Sequence, residues 1–438
     1  ILIGNGIPTA MSKYLSEIFE SAPGKILGIK YQALRLQAIL MLSVTAIFFF
    51  AAPLIAWVLH DPSLTPLFQL SSLIIPAFAA ASFYFYYFTG LHFFRVQATL
   101  KIIRAVSRVI FIIFLALFFG IEGAIAGYIV APLFVFGMAV LFDIVITHRY
   151  FPSVRETKRK DVLLISPQTI LAYAGPLTAF LLFYELILTL DLYFVKSMLK
   201  SDYLTGIYNA AITVGRIPYF LFYALTIILL PAISKTTAER DHEGTERLVN
   251  QSLRLMTFLL FPMVTLLIMF GPQILHFFYG ARYAEAVLPM QVFALGVGFL
   301  TVFYVLSFAL NGAGLVKIPM RLALGGFLLM ILFNFLLIPP FGLVGAALAT
   351  TITSFFLMIA ILIATARQFH VHLKLRTISL SLLGSLLLVL VSPLLPQGPA
   401  AFLFSGAFLF LSYLVYLRLF RELSPTDIAP ITKLFRRN

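Results

Sequence analysis

The sequence predicts an all-α polytopic membrane protein: two pseudo-repeated six-helix lobes, followed by a C-terminal helix pair. Three observations carry this. First, 61% of the 438 residues are hydrophobic and only 11% are charged, against roughly 25% charged in soluble domains. Second, apolar runs of about 18–25 residues succeed one another from end to end, each long enough to cross a hydrocarbon core of about 30 Å. Third, the C-terminal half repeats the N-terminal half at a fixed offset. Gly90 answers to Gly312, Gly120, Gly123 and Ala124 answer to Gly342, Gly345 and Ala346, and Lys13 answers to Lys235, each pair 222 residues apart.

Taken in order, about thirteen apolar spans cover 1–18, 36–59, 67–88, 100–119, 124–147, 170–195, 205–232, 255–277, 287–310, 319–338, 343–364, 379–395 and 400–417. They must be helices, because no barrel-like alternation is present and hydrocarbon offers backbone groups no other partner. An odd number sits badly with a two-fold repeat. The second half begins near Leu164, whose mate would fall upstream of Ile1, and the chain opens inside an apolar segment. A fourteenth helix with its lead-in, about fifty to sixty residues, is therefore expected before Ile1. The expected organisation is an N-lobe with its cytoplasmic connection over 1–163, a C-lobe over 164–377, an added helix pair over 378–418 and a cytoplasmic tail over 419–438. Repeated hydrophobic halves with a site between them are the architecture of secondary transporters.

The net charge of +14 is a matter of topology rather than of nucleic-acid binding. Lys25, Lys30, Arg35, Arg95, Lys101, Arg149, the run 155–160, Arg240, Arg247, Arg254, Lys317, Arg367, Arg376 and the basic tail all fall on one side of the spans. The other side holds only Lys196, Lys200 and Arg282. That asymmetry puts the tail in the cytoplasm and the chain in the inner or plasma membrane as a multi-pass protein. In the tail, Ser424, Pro425 and Asp427 suit the N-terminus of a short helix. Cysteine is absent, which excludes disulfides, thiolate metal sites and Cys nucleophiles. No Walker A pattern occurs and no His/Asp/Glu cluster has metal-ligand spacing, so an enzyme or an ATP-driven pump is not expected.

Four segments carry a family resemblance: GNGIPTAMSKYLSE (4–17), LDLYFVKSMLKSDYLTGIYNAA (190–211), FYGARYAEAVLPMQV (278–292) and, most specifically, NFLLIPPFGLVGAALATTIT (334–353). Together they resemble the polysaccharide-flippase branch of the multidrug/oligosaccharidyl-lipid/polysaccharide exporter superfamily, which includes O-antigen flippases and relatives of the lipid II flippases. The resemblance implies two lobes that rock around a cationic cavity, and a polyprenyl-pyrophosphate-linked oligosaccharide as cargo, flipped from the inner to the outer leaflet. It also implies membrane lipids and polysaccharide-assembly enzymes as partners, no cofactor, and Na⁺ or H⁺ coupling in some members.

Charged residues at membrane depth are costly and default to function. Arg216 lies about 16 Å into its helix and Glu185 about 15 Å into the preceding one, at a rise of about 1.5 Å per residue. A salt bridge between them is therefore expected. Arg216 is the first candidate for a phosphate contact, since a guanidinium forks onto phosphate oxygens. Glu185 and Asp191 are candidates for ion coupling. Pro218, two residues after Arg216, removes a helix donor and is expected to free the Val214 carbonyl. Arg104 and Arg108 share one helix face and are further cationic candidates, as are the repeat mates Lys13 and Lys235, while Tyr208 and Tyr219 could stack on sugar rings. Each also has a plainer reading: anchoring for the cations, packing for the tyrosines. The alternatives to a flippase are a cation-coupled multidrug exporter of the same superfamily, for which Glu185 and Asp191 would be the binding acids, and a membrane glycosyltransferase or polymerase.

Overall fold

The computed structural model describes residues 2–18, 23–58, 62–150, 166–371, 375–396, 401–420 and 422. All regular structure among these is helical, in the order α1 (Leu2–Ile18), α2 (Ile26–Val58), α3 (Thr65–Ser72), α4 (Ile74–Gly90), α5 (Phe94–Tyr150), α6 (Pro167–Leu199), α7 (Asp202–Gly215), α8 (Ile217–Ala238), α9 (His242–Tyr279), α10 (Val287–Gly312), α11 (Lys317–Gln368), α12 (Leu375–Val391) and α13 (Ala401–Leu419). Ten stretches among the described residues are long and apolar enough to cross a membrane. Two of them, over α5 and α11, are 53 and 52 residues long and hold two crossings each. Broad apolar surface accompanies them: Phe50, Leu54, Trp57, Leu117 and Phe118 are all exposed, which only hydrocarbon accommodates.

Glycine explains the doubled crossings. Gly120 takes φ 58°, ψ −134° and Gly342 takes φ 55°, ψ −130°, which breaks each helix at the same repeat position. A Cβ on Gly123 would lie 2.0 Å from the Leu115 carbonyl oxygen, and one on Gly345 would lie 2.0 Å from that of Leu337. The chain therefore turns back on itself at both places, with backbone against backbone. The repeat holds elsewhere too. Lys13 pairs with Glu17 and Lys235 with Glu239, one turn along each helix. His92 and Gly314 share the left-handed region at φ 62° and 82°. Gly90 meets the Ser12 backbone as Gly312 meets Leu230 and Ile233, and the Ser234 hydroxyl, repeat mate of Ser12, donates to the Gly312 carbonyl.

Contacts divide the chain into one unit over Ile1–Leu181 and another over Leu182–Asn438. The junction expected near Leu164, the basic run 155–160 and the tail helix around Ser424 lie outside the described residues. Several helices run beyond the spans read from hydropathy. α2 starts at Ile26 rather than 36, and α9 starts at His242 rather than 255, where the Asp241 carboxylate caps it by accepting from Gly244 N–H at 2.8 Å. These added turns are amphipathic, so an apolar window passes over them. In the second unit α12 and α13 pack on α9 through Phe258, Phe270, Leu388, Phe402, Leu409, Tyr413 and Leu417. At the basic end of these helices, buried Glu422 meets Arg254 at 3.5 Å and Arg376 at 3.3 Å and accepts from the Thr377 hydroxyl at 3.0 Å.

Candidate functional site

The second unit holds Arg216, Glu185 and Asp191, the three charged residues that the sequence sets deep in apolar spans. α7 and α8 would be one helix but for Pro218, whose ring cannot follow a helical carbonyl four residues back. The chain breaks at Arg216, at φ −81° and ψ −4°. Its N–H still donates to Ile212 at 3.1 Å, and its carbonyl accepts from Tyr219 at 3.1 Å. The Val214 carbonyl, expected to be free, faces the Arg216 N–H as well. The break sets Arg216 where its guanidinium reaches α6. There Nη2 donates to the Leu188 carbonyl, and Nε is buried with no hydrogen-bond partner.

The expected Glu185–Arg216 salt bridge does not form. Leu188 lies three residues from both Glu185 and Asp191, so the guanidinium sits between two carboxylates, each about 4.5 Å along the α6 axis. It takes the carbonyl rather than either acid. Glu185 has no ion-pair partner among the described residues and stays half-buried.

Asp191 is fully buried and held from three sides. Its Oδ2 accepts the Tyr208 hydroxyl at 2.7 Å and the Thr350 hydroxyl at 3.0 Å, while Oδ1 accepts the Leu192 N–H at 2.8 Å. Three hydrogen bonds offset the desolvation of a buried carboxylate. Tyr208, also fully buried, is thus a fixed partner of Asp191. Thr350 was not singled out from the sequence, although it lies in the hydroxyl-rich run ATTITS (349–354). Asn334 approaches the same node: its Nδ2 donates to Met330 at 2.8 Å, Thr350 Oγ1 lies 3.8 Å from Met330 Sδ, and Asn334 Oδ1 is buried without a partner. The donors here are oxygens, and no group of three His, Cys, Asp or Glu able to hold a metal occurs among the described residues.

Aromatic rings line the step from Arg216 along α8. The Tyr304 ring lies 4.5 Å from Tyr184, 5.3 Å from Tyr219 and 6.3 Å from Tyr223. Tyr219 and Tyr223 follow Arg216 at helical spacing, so the rings and the guanidinium share one side of α8.

The first unit holds three further candidates, Lys13, Arg104 and Arg108. Lys13 is bound to Glu17, and its ammonium lies 4.7 Å from the Tyr14 ring and 5.2 Å from Tyr173. Arg104 packs over Phe78 at 5.0 Å and Phe85 at 4.8 Å, and Arg108 lies 5.9 Å from Tyr128. In the second unit Lys235 faces Glu239 at 4.0 Å and is half-buried. A further pair escaped the sequence reading. Lys30 and Asp143 form a buried ion pair, with the ammonium 4.4 Å from the Tyr87 ring and 5.4 Å from Tyr84. The signal was available: Asp143 is an acid inside the apolar run LFDIVI (141–146).

Residues 32–288 match the family model described as polysaccharide biosynthesis protein. An uncharacterized membrane protein of Methanocaldococcus jannaschii is 26% identical over 363 residues, which is 81% of this chain and 83% of that protein. The lipid II flippase MurJ in its inward closed conformation superposes with a TM-score of 0.68 at 18% identity, covering 96% of this chain and 88% of that one. A MATE protein in the straight conformation gives 0.70 at 12% identity, with 84% of each chain covered. At these identities the solved structures establish the fold alone.

Proposed function

The chain belongs to the polysaccharide biosynthesis protein family, and from that premise we propose that it carries a polyprenyl-pyrophosphate-linked oligosaccharide from the inner to the outer leaflet by alternating access. The observation that carries the reading is Arg216: a guanidinium at a helix break, deep in an apolar span, anchored to one carbonyl and in no ion pair among the described residues. A charge so placed demands a reason, and a pyrophosphate supplies one. The unused Nε and the remaining N–H groups present a fork that phosphate oxygens match. Tyr184, Tyr219, Tyr223 and Tyr304 beside it offer the flat apolar faces and hydroxyls that sugar rings take. The lipid tail would stay in the bilayer while the headgroup passes Arg216.

Coupling is assigned to Asp191. Its carboxylate and the Tyr208 and Thr350 hydroxyls form a cluster of hard oxygen donors suited to Na⁺ or to a proton, not to a soft metal. A cation there would draw α6, α7 and α11 together, and its departure would loosen them. We assign the chain no catalytic step. The positive-inside asymmetry supports a cytoplasmic tail.

The test is flipping of a fluorescent polyprenyl-pyrophosphate oligosaccharide in proteoliposomes, under an imposed proton or Na⁺ gradient, by the parent and by Arg216→Ala. Flipping by the parent that the variant lacks supports a phosphate contact at Arg216. Glu185, a half-buried acid three residues from the carbonyl that holds Arg216, favours the drug-exporter alternative: a parent that leaves the lipid in place but extrudes cationic dyes replaces the flippase reading with that one.

A further inference from the structure

In the second unit the exposed faces of the long helices carry large apolar side chains, such as Leu324, Leu328 and Leu332 of α11 and Leu382 and Leu386 of α12. α7 departs from that pattern. Its packed face is apolar: Ile207, Ala210, Ala211 and Val214 lie in one buried cluster with Leu267, Met290 and Ala294. Its other face exposes Asp202, Gly206, Asn209 and Thr213, and half-buried Arg216 follows at the next turn. Steps of four and three residues set these five on one side of the helix. The space beside that side is open. A Cβ on Gly206 would meet nothing within 4 Å, whereas one on Gly215, on the packed side, would lie 2.7 Å from Phe293. The Thr213 hydroxyl donates to the Asn209 carbonyl at 2.7 Å, and its lone pairs still accept. Hydrocarbon would leave the Asn209 amide and that hydroxyl unmet, at a cost that water or a polar ligand removes. At the inner end of the stripe, Arg216 Nε is buried with no hydrogen-bond partner.

We propose that this face of α7 is one wall of a hydrated passage between its Asp202 end and Arg216, and that Asn209 and Thr213 are the contacts there that read the sugars of the cargo. The passage rests on α7 alone; the identity of the cargo rests on the flippase reading. Charge selects the part of the cargo that each residue meets. The stripe has one cation at its inner end and only neutral groups over the turns that follow, while Asp202 at the far end is paired with Lys196. At about 1.5 Å per residue, Thr213 stands about 4.5 Å and Asn209 about 10 Å beyond Arg216. A pyrophosphate held at Arg216 with its sugars leading outward sets them against Thr213 and Asn209. The Asn209 amide both donates and accepts and the Thr213 hydroxyl accepts, which matches the hydroxyls of neutral sugars. Such a wall suits an oligosaccharide whose charge is confined to its pyrophosphate.

The absence of cysteine makes the first test direct. Gly206→Cys, Asn209→Cys, Thr213→Cys and, as the apolar control, Leu328→Cys are reconstituted in lipid and treated with a charged, water-soluble thiol reagent. The three α7 positions should react and position 328 should not. A Thr213→Cys that reacts no faster than Leu328→Cys overturns the passage and leaves the flippase reading intact. The second test compares flipping of a fluorescent polyprenyl-pyrophosphate oligosaccharide with that of the same lipid without its sugars. Asn209→Leu, which keeps the size and removes the hydrogen bonds, should slow the sugar-bearing lipid about tenfold and leave the sugar-free one at the parent rate. Asn209→Gln should keep most of the parent rate on both, and Arg216→Ala should slow both. An Asn209→Leu that slows the two lipids equally, or neither, overturns the sugar contact. If the parent flips neither lipid, the sugar contact falls with the flippase reading, and the thiol reactions still decide the passage.

Discussion

The two halves share their turns and differ in their deep charges. Both reverse at a glycine of nearly identical φ and ψ, and both carry a Lys–Glu pair one turn apart. In the first half Lys30 and Asp143 are joined between tyrosine rings. At the matching positions the second half has Ser252 and Thr365, both buried and neither charged. One fold has met the same packing problem with an ion pair and without one. Shared features therefore report what the architecture requires, and unshared charges report what has been added to it.

The largest effect expected from this comparison is at the ion pair. Asp143→Thr alone strands the Lys30 ammonium and should cost about 3–5 kcal/mol, read as a fall in thermal unfolding temperature in detergent. Lys30→Ser combined with Asp143→Thr copies the second half and should be neutral or stabilising. A double variant as damaged as the single one would break the comparison. Next comes Arg216, held by the Leu188 carbonyl in the second half. Losing hydrogen bonds from a charged donor worth about 1.5–3 kcal/mol lowers flipping about 10- to 100-fold, and Arg216→Lys, which keeps the charge but not the fork, should lose less. Gly123→Ala and Gly345→Ala should then destabilise by similar amounts, about 1–3 kcal/mol each, since each new Cβ meets a carbonyl oxygen at the same 2.0 Å. Unequal costs would show that the two reversals are less alike than their dihedrals.

The smallest effect is a pH dependence confined to the second half. His370 Nδ1 lies 2.5 Å from Glu246, and the Asn250 amide donates to the His370 carbonyl at 3.0 Å. Gly24 occupies the position that mates with Glu246. The carboxylate raises the His370 pKa above its ordinary 6.5. Because the folded value is the higher one, the contribution is complete below pH 6.5 and disappears as pH rises through the folded value. Melting temperatures should decline slightly over that window in the parent and lose the decline in Glu246→Gln. An unchanged decline would locate its source elsewhere.

Much of this was legible in the sequence because repeats and hydropathy are properties of spacing. The offset of 222, the glycine reversals and the family motifs needed no coordinates. Depth was legible as well, which is how Arg216, Glu185 and Asp191 came to be grouped. Partnership was not. Counting turns puts Arg216 level with α6 but cannot choose between two acids and the carbonyl between them. Thr350 joins Asp191 across 159 residues, a distance that no local pattern reports. Lys30 was read as a loop charge because hydropathy starts that span at 36, whereas α2 begins at Ile26, which brings Lys30 inside the helix and onto Asp143.

The backbone contacts at Leu115–Gly123 and Leu337–Gly345 also bear on how the chain is made. Closing a loop of about ten residues takes about 10–100 ns, and its entropy cost grows only slowly with length. Each helical hairpin of α5 and α11 can therefore zip as soon as its second arm leaves the ribosome, long before α6 can find Thr350. Biogenesis would then proceed by docking of finished hairpins, and a variant at Gly123 or Gly345 would register first as lost yield of inserted protein.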